Sequence, residues 1–190
     1  MRFAFLASSA AALALLSGCG SSSAPPADGA WFVSMVSDTG MCNLADIMSK
    51  TGSVTDQSKQ STIENGMSST TIECTVAQGT GNSFAVSATG EDPTASTGSN
   101  LTINIASLSP SASQTNPATG TVTFSSPQTV NNEFASSTCN FFFSSKSEGV
   151  AAGQVWVTFD CPMFENRTGS MSVCDLKQGF AIFENCNTTM

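Results

Sequence analysis

The chain has 190 residues, of which 6 are basic, 14 acidic and none histidine, giving a formal net charge of −8. Its cations are scattered and form no basic track along which a phosphate backbone could lie, so nucleic acid is not an expected partner. Charged residues make up only 11% of the chain and serine and threonine together number 53, a hydroxyl-rich composition that at this length suits one extracytoplasmic β-domain.

The N-terminus carries the most specific signal. Met1-Arg2 is followed by an uncharged apolar run from Phe3 to Leu16, long enough to engage an export machinery and too short to span a bilayer as a helix. It ends in Leu16-Ser17-Gly18-Cys19, which resembles the lipobox of bacterial lipoproteins. The resemblance covers residues 1 to about 30, and implies that a signal peptide, 1–18, is removed. It further implies a diacylglycerol thioether on Cys19, often with an acyl group such as palmitate on the new amino terminus. The expected partner is therefore a membrane, reached through acyl chains that each contribute about 0.8 kcal/mol per buried methylene. Gly20 stands where an aspartate would favour inner-membrane retention, so the resemblance implies the outer membrane of a bacterial envelope. Residues 19–30, small and polar after the cysteine, read as a tether, and 31–190 as a single β-rich domain.

Trp31-Phe32-Val33-Ser34-Met35-Val36 predicts an opening strand. Leu44, Ile47 and Met48 recur at helical spacing ahead of Gly52, which predicts a short helix near 43–50. From Thr71 the period becomes two. Ile72, Cys74 and Val76 alternate, as do Phe84, Val86 and Ala88, and pairing Val76 with Phe84 sets Cys74 opposite Val86. Leu101, Ile103 and Ile105 form the next alternating segment, then Val122 and Phe124. Cys139, Phe141 and Phe143 alternate, followed by Val155, Val157, Phe159 and Cys161. Matching Phe143 with Val157 sets Phe141 opposite Phe159 and brings Cys139 opposite Cys161 on the inward face. Met171 and Val173, then Phe180 and Ile182, predict a terminal hairpin turning at Asp175–Gly179. Short strands broken by Gly, Ser, Asn and Pro predict an all-β fold, an antiparallel β-sandwich or partly closed barrel.

Apart from Cys19 there are six cysteines, an even number that in an exported chain points to disulfides. The strand register predicts Cys139–Cys161. Proximity in sequence suggests Cys42–Cys74 and Cys174–Cys186, two choices among the many that six cysteines allow. Without histidine or a C-x-x-C spacing, no metal and no cofactor is expected.

Catalytic patterns are sparse. The usual base for a serine or cysteine nucleophile is missing, and no S-x-x-K, G-x-S-x-G, P-loop or dinucleotide fingerprint occurs. Carboxylate pairs, Asp160 with Glu165 or Glu91 with Asp92, are the remaining route to hydrolysis. Asp38, Glu91, Asp92 and Asp160 are formal oxygen ligands for calcium, but lack the D-x-D-x-D-G spacing. Trp31 and Trp156 are candidate platforms for sugar rings if exposed, and core residues if not. The leading expectation is a non-catalytic, lipid-anchored envelope protein with an interaction or structural role and an envelope protein or glycan as partner. The alternatives are a carboxylate hydrolase and a carbohydrate-binding module.

Overall fold

The computed structural model describes residues 24–37, 40–94, 98–130, 132–169 and 171–189. The expected signal peptide, Cys19 and Asp38 lie outside the described residues. The strands in chain order are β1 (Asp28–Val36), β2 (Ile47–Thr51), β3 (Ser53–Val54), β4 (Lys59–Ser61), β5 (Ile63–Glu64), β6 (Thr71–Gln78), β7 (Phe84–Glu91), β8 (Asn100–Leu108), β9 (Ala118–Ser125), β10 (Phe134–Phe142), β11 (Gly149–Ala151), β12 (Gln154–Asn166) and β13 (Val173–Glu184). Two single 3-10 turns, Met67–Ser69 and Pro127–Thr129, are the only helical segments described.

One antiparallel sheet dominates, in the order β2-β1-β13-β12-β10-β9-β8-β7-β6, and it curls into a half-barrel. Neighbouring strands from β6 to β9 follow the chain, whereas β1 reaches its partner β13 only across the whole domain. Curling brings β6 back to the C-terminal segment. Val76 N donates to Asn187 O at 2.8 Å, and Asn187 N to Cys74 O at 2.9 Å. Trp31 on β1 lies against β7 so closely that a Cβ added at Gly90 would sit 2.4 Å from its ring.

Alternation decides which side chains fill the interior. Ile72, Cys74, Val76, Val86, Ala88, Leu101, Ile103, Ile105, Val122 and Phe124 all enter one core together with Trp31, Phe141, Phe159 and Phe183. Rings meet in pairs across strands, with Phe141 and Phe159 5.6 Å apart and Trp31 and Phe183 6.3 Å apart, the offset separations that aromatic quadrupoles favour. A smaller apolar cluster, Ala30, Val54, Phe180 and Ile182 with Phe32 and Trp156, lies outside it.

Several sequence expectations need correction. No helix forms near 43–50. Ile47, Ser49 and Thr51 are buried while Met48 and Lys50 are exposed, so pairing with β1 imposes a period of two on residues whose spacing also fits a helical turn. The first strand starts at Asp28 and buries Ala30, so residues 28–30, assigned from sequence to the tether, belong to the sheet. In the β6–β7 hairpin Val76 faces Val86 and Cys74 faces Ala88. The register therefore slides by two residues, which preserves every face and leaves a connection closed by Gly79 N to Ser83 O at 2.8 Å.

The terminal hairpin is absent. Residues 173–184 form one strand between β1 and β12, and its Gly179 is a point of close approach, opposite Phe159. The Phe141–Phe159 pairing occurs as expected, although β11 intervenes and takes the first residues of β12.

Of the expected disulfides, Cys139–Cys161 is present. The other four cysteines are exchanged relative to the proximity guess, as Cys42–Cys174 and Cys74–Cys186. The topology explains both. Val173 N donates to Met41 O at 3.1 Å, which lays the segment before β2 beside β13, and Cys186 follows β13 to the edge of β6.

Candidate functional site

The two tryptophans have opposite fates. Trp31 is fully buried, and its Nε1 donates to Ser99 Oγ at 2.8 Å, so it is a core residue and not the sugar platform considered from sequence. Ser99 also approaches Thr51 Oγ1, which donates to Asp92 Oδ2 at 2.9 Å. Burial opposes ionisation of Asp92. Hydrogen bonds from the Thr94 hydroxyl and N–H and from the Thr51 hydroxyl outweigh it and hold the carboxyl below its ordinary value.

Trp156 is half-buried on the outer side of β12, in register with Gly149 of β11 and Ile182 of β13. It lines a groove of about 340 Å³ whose other walls include Lys59 of β4, Ser147, Gly149 and Glu184. Lys59 and Glu184 form an ion pair there. The indole Nε1 is buried and has no hydrogen-bond partner. A Cβ added at Gly149 would meet nothing within 4 Å, so this glycine leaves the flank of the indole open.

The acids singled out from sequence are held separately. Asp160 accepts from Asn140 Nδ2 at 2.8 Å, and Glu165 lies 3.6 Å from Arg167. Glu91 is exposed at the end of β7 while Asp92 turns to Thr51 and Thr94. Each of these contacts engages a single carboxylate with a neutral or basic neighbour. Among the described residues no three His, Cys, Asp or Glu side chains gather as a metal site would need.

Sequence reasoning passed over the one acid that is buried among the described residues. Glu148, 8% exposed, sits in what reads as a turn, Lys146–Gly149, and nothing in its spacing marks it. It accepts from Ser144 N at 2.6 Å, Ser144 Oγ at 2.9 Å and Thr158 Oγ1 at 2.8 Å. Desolvation raises its pKa above the ordinary glutamate value, only partly offset by these hydrogen bonds, and nearby Asp56 adds to the rise. The carboxylate ties the loop before β11 to β12.

A raised carboxyl in the native state means that the folded protein binds a proton more readily than the unfolded chain. Glu148 therefore adds stability as pH falls from neutrality through its folded pKa, and loses that contribution as pH rises. Asp92 acts oppositely, contributing above its unfolded pKa and losing the contribution at lower pH, below the ordinary aspartate range. Glu148→Gln should remove the first effect. Urea midpoints measured across mildly acidic pH should show wild type gaining on the variant as pH falls, and parallel curves would refute this assignment.

Comparison with known proteins gives no match: no family model matches the chain, and no curated protein or solved structure is significantly similar to it.

Proposed function

We propose that this chain is a lipid-anchored protein of a bacterial envelope, held at the outer membrane by acyl chains on Cys19. Its disulfide-braced β-domain serves an interaction or structural role without catalysis. The observation that carries this reading is cysteine parity. Six cysteines pair with one another, and the seventh is the residue that closes Leu16-Ser17-Gly18-Cys19. Disulfides persist in the compartments to which such a signal delivers a protein. The absence of histidine supports the non-catalytic half of the reading.

Cys19→Ala tests the anchor. The variant should leave the membrane fraction or retain its signal peptide, and should lose the mass of the acyl groups. An unchanged membrane fraction and unchanged mass would defeat the proposal.

A further inference from the structure

We propose that the groove beside Trp156 binds a neutral carbohydrate, the indole taking the C–H face of a sugar ring and the Lys59–Glu184 pair its hydroxyls. This deepens the interaction role proposed above and does not depend on the anchor.

Three observations converge on that class of ligand. Trp156 is the tryptophan left partly open, whereas Trp31 is sealed in the core. Gly149 opposite it has no positive φ, so the backbone does not demand glycine there. The consequence of a missing side chain at 149 is open space beside the indole. Next, the polar groups at the groove supply donors and acceptors with no net charge: Lys59 with Glu184, the Gln154 amide and the Ser147 hydroxyl.

Other ligand classes fit less well. An anion would approach a chain of net charge −8 and meet a single lysine already neutralised by Glu184. A cation would meet a carboxylate already neutralised by Lys59. A wholly apolar ligand would desolvate the ion pair and the amide without replacing their hydrogen bonds. A sugar presents an apolar face and hydroxyls that both donate and accept. The volume of about 340 Å³ is at the small end of ligand sites, which suits one end or one short stretch of a glycan.

The test uses the full chain in a detergent that contains no sugar, titrated with neutral oligomers of glucose, mannose, galactose and N-acetylglucosamine. Tryptophan emission, acrylamide quenching and calorimetry are read together. Since Trp31 is already shielded, ligand-dependent changes report Trp156. At least one series should give a saturable blue shift and protection from quenching. Gly149→Leu should fill the groove and weaken that binding about tenfold or more, the scale of one lost aromatic contact, with an unchanged circular dichroism spectrum. Trp156→Ala should weaken it similarly if it folds. The proposal is overturned if no neutral series saturates, if Gly149→Leu binds as wild type does, or if acidic glycans or peptides bind where neutral ones do not. Membrane partition is unaffected by any of these results, so failure here stays distinct from failure of the anchor.

Discussion

Replacing Cys74 and Cys186 together by alanine should destabilise the domain by about 5 kcal/mol. The bridge spans 112 residues, and the entropy it removes from the unfolded chain grows with the logarithm of that span. The bridge across 22 residues, Cys139–Cys161, should be worth about 3 kcal/mol on the same scale. Local structure adds to the difference. Without the Cys74–Cys186 link, β6 is held to the C-terminal segment by the Val76–Asn187 and Asn187–Cys74 backbone bonds, with Gly153 N donating to Val76 O at 2.9 Å beside them. Those amides should lose hydrogen-exchange protection before the sheet interior does. Urea unfolding of the two double-alanine variants, under non-reducing conditions, provides the comparison. A larger loss for the 22-residue bridge would sink loop closure as the dominant contribution.

That bridge also shows where sequence reading stops. Alternation is a local property, so β1, β6 to β10 and β12 are legible from their inward residues. The Cys139–Cys161 link is legible too, because matching Phe141 with Phe159 fixes the register that contains it. Cys42–Cys174 and Cys74–Cys186 depend on β13 lying between β1 and β12 and on the sheet curling until β6 meets residue 187. No local pattern encodes either fact.

The same distinction separates the tryptophans. Each lies in an apolar strand, and only the curled sheet places Trp31 against Gly90 while Gly149 leaves Trp156 open. Glu148 escaped notice because an acid followed by glycine in a loop normally reads as a solvated turn. Its burial follows from Thr158 reaching it across ten residues of chain. The stretch Leu44–Met48 shows the opposite failure, a local helical spacing overridden by the edge of a sheet.

Gly179→Ala offers a test in which local propensity and packing predict opposite signs. Alanine suits a strand slightly better than glycine, and in an exposed turn or strand the change would be mildly stabilising or neutral. Here Gly179 faces Phe159 across β12 and β13. The added Cβ would lie 2.2 Å from Cζ and 2.3 Å from Cε2 of that ring. Phe159 is fully buried and packs against Phe141 at 5.6 Å, so the ring can retreat only by displacing packed neighbours. Overpacking of this kind typically costs 1–3 kcal/mol, and a contact this short places the expected loss at about 3 kcal/mol, outweighing the gain in backbone entropy. Gly149→Ala is the control, since its methyl enters open space and should leave stability unchanged or slightly higher. Shortening the ring should relieve the clash. Phe159→Leu destabilises by itself through lost contacts, yet combined with Gly179→Ala the total should fall below the sum of the single losses by at least about 1 kcal/mol. Additive losses in that double-mutant cycle would mean that the new methyl and the ring do not meet, and the placement of residue 179 against Phe159 would have to be abandoned.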